Sequence, residues 1–208
     1  MEKLFHNLYR TGTSANKRGF SHSYLLVRKE GNLLICHQQG PSAATSGRSR
    51  SSVESKACGS ATATTHSAIY NTTSCTSSSA ASSTSTRRHD RPARKRAKCP
   101  FETFGDEGIQ YADDFEGFNY PACTSGHAVY RWKSRGKYFL FTAHSMYAND
   151  KGWDTWFKPN KGVTLHKAHI DYVFPGYTPE SGPDFYRLDD KMRRSLSRRI
   201  NELIKRAA

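Results

Sequence analysis

The chain has 208 residues and a formal net charge of +14 at pH 7, with 32 Lys and Arg against 18 Asp and Glu. This length accommodates one domain or two small ones, and the positive charge favours polyanionic partners without specifying a fold. The five cysteines contain no Cys-x-x-Cys pair, which excludes a zinc knuckle or a thioredoxin motif, and no apolar run reaches membrane-spanning length.

The first unit, residues 1–37, is predicted to be an N-terminal β-hairpin. Tyr24-Leu25-Leu26-Val27 and Leu33-Leu34-Ile35-Cys36 are apolar strand segments, and Glu30-Gly31-Asn32 between them is typical of a turn. The opening residues lack the apolar core of a signal peptide. We therefore expect a cytoplasmic protein with reduced thiols and no membrane partner.

The second unit, residues 38–98, has a different composition. Ser and Thr make up 24 of the 47 residues between Pro41 and Arg87, so the segment has too little apolar surface to offset the entropy of ordering, and we predict disorder. Ten Lys and Arg against two acidic residues give the unit a net charge of +8. Its basic cluster from Arg87 to Lys98 indicates a nucleic-acid contact, a localisation signal or a solvated charge run.

The third unit, residues 99–208, contains a second hairpin. The segment around Val129 to Trp132 and the apolar run Tyr138-Phe139-Leu140-Phe141 are predicted strands, joined by a turn at Ser134 to Lys137. Cys123 and His127 precede this hairpin and His144 follows it. This pattern predicts a site at one end of the sheet; the alternative is a structural hairpin with incidental Cys and His.

The chain is predicted to end in a strand, a turn and a helix. Residues 170–177 read as a buried strand followed by Pro175-Gly176-Tyr177, and apolar residues at three- and four-residue steps predict an amphipathic helix over residues 189–205. The polar face of this helix indicates either a solvated surface or a nucleic-acid contact, and carries four arginines, Arg193, Arg194, Arg198 and Arg199.

These motifs resemble the metallo-β-lactamase fold family, in the family's order. Residues 121–126 match its Pro-Gly-His-Thr-Pro-Gly loop, residues 140–144 its Leu-Phe-Thr-Gly-Asp strand end, and residues 175–177 its late Pro-Gly-His. The family's metal-binding His falls on Cys123, its metal-bridging Asp on His144 and its last metal-binding His on Tyr177. The His-x-His-x-Asp-His loop has no counterpart.

The resemblance implies an α/β fold, an αββα sandwich of metallo-β-lactamase type that is incomplete here and carries a long disordered insertion. It also implies a metal-generated hydroxide that attacks a small-molecule ester or thioester. Cys123 and His144 are the expected metal ligands, for zinc or iron at low occupancy, and Tyr177 and His127 the expected substrate-binding residues. Two ligands are too few for a tight site, so we expect lost or weakened hydrolysis.

Two further hypotheses stand beside this interpretation. In the first, the chain is a basic, non-enzymatic protein that binds nucleic acid through Arg87–Lys98 and the C-terminal helix. Separately, a shifted reading of the codons from Ala61 to Thr86 permits a His-x-His-Asp start, an amphipathic helix and a strand. This suggests that the tract comes from a shifted reading frame, which the coding DNA around Gln38 to Arg91 would decide.

Overall fold

The computed structural model describes residues 1–16, 19–36, 68–71, 83–86, 101–122, 127–143, 145–149, 152–155, 163–178 and 183–206. Of residues 38–98, only two short strands are described. The predictions for this segment, namely its disorder, the role of the basic cluster at 87–98 and the shifted reading frame, therefore lie outside the described residues. None of the helices in the described ranges is long and apolar enough to cross a membrane.

The first of two large sheets has eight strands and is built mainly from the N-terminal part of the chain. Its neighbours are antiparallel except for the last pair, which is parallel. In spatial order the strands are β1 (Glu2–Phe5), β2 (Leu8–Asn16), β3 (Gly19–Leu26), β4 (Leu33–Cys36), β5 (Ala68–Asn71), β6 (Ser83–Thr86) and β7 (Phe101–Phe104), with β15 (Tyr177–Thr178) also paired to β3.

The second sheet has six strands and contains the predicted central hairpin. Its spatial order is β16 (Tyr186–Arg187), β14 (Tyr172–Pro175), β11 (Lys137–Ala143), β10 (Ala128–Ser134), β9 (Phe115–Asn119) and β8 (Ile109–Ala112). Strands β10 and β11 pair from Tyr130–Phe141 to Ser134–Lys137. Arg135 and Gly136 both have positive φ, the backbone combination that a two-residue hairpin turn requires.

The two large sheets pack face to face around an aromatic core. Side chains at alternate positions of each strand point into it, as the period of two requires. The buried residues from the first sheet are Leu8, Tyr24, Leu26, Leu33, Ile35 and Phe104, and those from the second are Phe115, Ala128, Tyr130, Trp132, Phe139, Phe141 and Phe174.

The outer face of the second sheet is covered by the helix α1 (Asp190–Arg206), the 3₁₀ helix Leu165–Lys167 and the hairpin β12 (Met146–Asn149) and β13 (Gly152–Thr155). Leu196 and Ile200 of α1 are buried in one cluster with Leu140 of β11 and Val173 of β14. Strand β11 is therefore buried on both faces, which explains its uninterrupted apolar run.

The predicted α/β, αββα architecture is wrong. The described residues are mostly β-sheet and form three sheets, and α1 is the only α-helix among them. A second helical layer needs apolar side chains at helical spacing, and residues 38–98 supply too few. The two described pieces of that segment, β5 and β6, instead extend the first sheet, which the sequence analysis did not predict.

Candidate functional site

Three segments of the second sheet meet at one edge. Strands β11 and β14 are parallel, with Phe141 beside Phe174 and Ala143 beside Pro175, so their carboxyl ends lie together. Strand β10 is antiparallel to β11, which brings its first residues to the same edge. We call this edge the rim; its described residues are 120–122, 127, 142–143, 145 and 176–178. Polar groups at strand ends are a common basis for a site.

The rim is also joined to the first sheet. Beyond Gly176 the chain continues as β15, where Tyr177 pairs with Ser21 of β3. The amide of Gly176 donates to the Ala143 carbonyl at 2.5 Å, and its carbonyl accepts from the His22 amide at 2.8 Å. Gly176 thus links β11 of one sheet to β3 of the other.

His22 lies behind the rim and was not singled out by the sequence analysis. It is 1% exposed; its Nδ1 lies 3.2 Å from Thr13 Oγ1 and its Nε2 lies 2.9 Å from Thr178 Oγ1. Burial, with a smaller effect of the Arg10 charge, lowers the pKa of His22. The sequence contained one indication that His22 is buried. Side chains two positions apart on a strand point to the same face, so His22 shares the inner face of β3 with Tyr24.

His127 is bonded to Tyr120, on the other side of the segment that carries Cys123. Its ring is buried, with Nδ1 3.0 Å from the Tyr120 carbonyl, while its own carbonyl accepts from the Tyr120 amide at 3.0 Å. A carbonyl only accepts, so Nδ1 carries the proton in the neutral ring and Nε2 carries the lone pair. Both ends of the Cys123 loop are thereby held together at the rim.

The described residues on either side of His144 are held by backbone and side-chain hydrogen bonds. Ala143 has a φ of +52°, a left-handed conformation that is unfavourable for a residue with a Cβ. The Ser145 amide and hydroxyl both donate to the Thr142 carbonyl, at 3.0 and 2.6 Å. The surrounding hydrogen bonds thus hold the backbone in a strained turn directly after β11, a feature that is common at functional sites.

The four predicted site residues have different outcomes. His127 and Tyr177 lie at the rim, where His127 is buried and Tyr177 is half-buried. Cys123 and His144 lie outside the described residues, between described neighbours at the rim, so their role as metal ligands stays a prediction.

The described part of the rim does not fit a catalytic metal on its own. No group of three or more His, Cys, Asp or Glu side chains in the described ranges could hold an ion, whereas catalytic zinc takes three protein ligands. Both ring nitrogens of His22 face threonine hydroxyls. Tyr177 offers a phenol, which is not among the imidazole, thiolate and carboxylate ligands that zinc takes.

Comparison with known proteins assigns no family. No family model, no curated protein and no solved structure matches the chain.

Proposed function

We propose that the chain is a divergent relative of the metallo-β-lactamase-type hydrolases, in which metal-dependent hydrolysis at the rim is lost or weakened. The single observation that supports the proposal is the meeting of three segments, the loop before β10, the turn after β11 and the Pro-Gly turn after β14, at one sheet edge.

These are the segments that carry the family-like motifs. The loop before β10 contains Cys123, the turn after β11 contains His144, and the turn after β14 leads into Tyr177. Strands β10, β11 and β14 are consecutive neighbours, and adjacent strands lie about 4.8 Å apart. In this proposal a small ester or thioester binds between the three segments.

The weakened chemistry follows from the donor set. Cys123 and His144 supply two ligands where a catalytic zinc needs three and an open position. Within the described residues His22 is engaged by Thr13 and Thr178, and Tyr177 is a better hydrogen-bond donor than metal ligand. A Cys–His pair favours one soft-to-borderline ion, zinc or iron, at low occupancy.

The test combines metal analysis with hydrolysis by the purified full chain. We expect less than one zinc or iron per chain and no chelator-sensitive cleavage of a lactone or a thioester. A full complement of metal with chelator-sensitive turnover would contradict the loss of activity.

The location of the metal needs a separate measurement. After dialysis against zinc, Cys123→Ala and His144→Ala should each retain less zinc than the parent chain. His6→Ala is the matched control, because His6 is exposed in the turn between β1 and β2 of the other sheet. Equal zinc retention by all three variants would show that the rim is not the zinc-binding site.

A further inference from the structure

The surface of α1 that faces away from the core is strongly basic. The helix contains seven Lys and Arg and two Asp and Glu, a net charge of 7 − 2 = +5. Leu196 and Ile200 bury its apolar side against the second sheet. Arg194 and Arg198 lie on the outer side of the helix and are exposed.

Three of these cations form a row. Lys191, Arg194 and Arg198 are three and four positions apart, which places them on one side of the helix. At a rise of 1.5 Å per residue the row is about 10 Å long. Lys167 of the neighbouring 3₁₀ helix joins it, since Lys167 and Arg194 line the same cleft of about 280 Å³. We call these four residues the basic stripe.

The basic stripe differs from the cations beside it. Arg193 is held by Asp171 and Asp190, and the larger cleft of about 420 Å³ next to it is lined by three cations and three carboxylates. In the part of the chain that the structure describes, no ion pair involves Lys167, Arg194 or Arg198. These three cations thus have no direct counter-ion among those residues and can contact an external polyanion, although Arg194 interacts with Asp190 over a longer distance.

The shape of the surface selects among anionic partners. A membrane-binding helix needs an apolar face to insert, but the apolar face of α1 is committed to the core. Proteins that bind single-stranded nucleic acid stack its bases on exposed aromatic rings. Met1 is the only large apolar side chain exposed among the described residues, so they offer no such stacking surface. A duplex requires only cations along its phosphates, at one charge per about 1.7 Å.

We infer that the basic stripe binds the phosphate backbone of a nucleic-acid duplex without reading base sequence. At about 3.4 Å per phosphate along one strand, the row of about 10 Å spans about three phosphates. This binding is independent of any chemistry at the rim, so it is indifferent to chelators.

The test uses the full-length chain and a fluorescein-labelled 20-base-pair DNA duplex, with anisotropy titrations between 50 and 200 mM NaCl. The variant is Arg194→Gln/Arg198→Gln. Its matched control, Lys3→Gln/Lys29→Gln, removes the same charge from exposed positions on β1 and beside β3. Each lost phosphate contact should lower the slope of log K against log salt by about 0.9, which at 0.1 M is roughly eightfold in affinity.

We therefore expect the slope of log K against log salt to be about 1.8 smaller in magnitude for the stripe variant, and its affinity at 0.1 M salt to be roughly 60-fold lower. The control variant should stay close to the parent chain. Equal weakening of both variants would reduce the effect to net charge and overturn the proposal. Unchanged binding by the stripe variant would overturn it in favour of residues 87–98. Binding to anionic lipid vesicles without binding to the duplex would also overturn it. Circular dichroism melts confirm that both variants are folded.

Discussion

Asp114 joins the two large sheets, and its removal is the sharpest test of their packing. Its carboxylate accepts from Arg28 Nε at 2.9 and 3.0 Å and from Trp132 Nε1 at 3.0 Å, and its carbonyl accepts from the Lys133 amide at 2.7 Å. Arg28 follows β3 of the first sheet, whereas Trp132 belongs to β10 of the second. Asp114→Asn keeps an oxygen for Trp132 but leaves the guanidinium of Arg28 without its main counter-charge.

The expected cost follows from the burial of Arg28. Its side chain is 2% exposed and that of Asp114 is 33% exposed. Breaking a fully buried pair costs about 3–5 kcal/mol. Solvent screening at the exposed third of Asp114, and the second carboxylate of Glu30 at 3.5 Å from Arg28, reduce this. We expect Asp114→Asn to lower the free energy of unfolding by about 2–3 kcal/mol at pH 7.

The same pair has a defined pH dependence. Burial raises the pKa of Asp114, but the hydrogen bonds from Arg28 and Trp132 outweigh it and leave this pKa below its usual value. The contribution of the pair is therefore complete above the unfolded-state pKa of about 3.9 and is lost as the pH falls through the lower folded-state pKa.

Urea unfolding of the parent chain and the variant measures both effects. Asp113→Asn is the matched control, because Asp113 is the exposed neighbour in the same turn, and it should change stability by less than about 0.5 kcal/mol. If Asp114→Asn is no more destabilising than Asp113→Asn at pH 7, the carboxylate of Asp114 does not hold the two sheets together. If the difference between the parent chain and Asp114→Asn does not shrink as the pH is lowered from 4, the ion pair is not its source.

Three further substitutions test the core and the link between the rim and β3. The pKa of His22 is lowered by burial, so the parent chain should lose stability as the pH falls below about 6.5; His22→Gln should lose less between pH 7.5 and 5.5 in urea unfolding. Tyr24→Phe removes the 2.7 Å hydrogen bond from the buried phenol to the Pro175 carbonyl and should cost about 1–2 kcal/mol in the same assay. Phe174→Ala empties a fully buried position between the sheets and should cost about 3–5 kcal/mol, well above Phe185→Ala at a half-buried position.

The sequence predicted those elements whose pattern of apolar and turn residues lies within the element itself. The hairpin of β10 and β11 has apolar strands and a glycine-containing turn, and the helix has apolar residues at helical spacing, so its predicted limits of 189–205 lie within one residue of α1. Strand β2 has no such signal, because residues 10–16 are almost all small or polar. It forms because β1 and β3 supply pairing partners on both sides, which is tertiary context.

The sequence predicted a site at a strand end from polar residues beside apolar strands. The structure describes His127 directly before β10 and Tyr177 after β14, and their role in binding stays a prediction. His22 is linked to the rim by its contact with Thr178, which is 156 residues away in the sequence. No local sequence pattern predicts such a long-range contact; the sequence indicated only that His22 lies on the inner face of β3.

The junction at Gly176 makes the N-terminal strands part of the rim. β14 leaves the second sheet at Pro175, and β15 enters the first sheet at Tyr177, with the Gly176 amide bonded to β11 and its carbonyl to β3. The backbone of Tyr177 therefore moves only if one of the sheets moves with it. A substitution in β3 that weakens its pairing with β15 should thus disturb Tyr177 as much as a change at the rim itself, whatever ligand the rim takes.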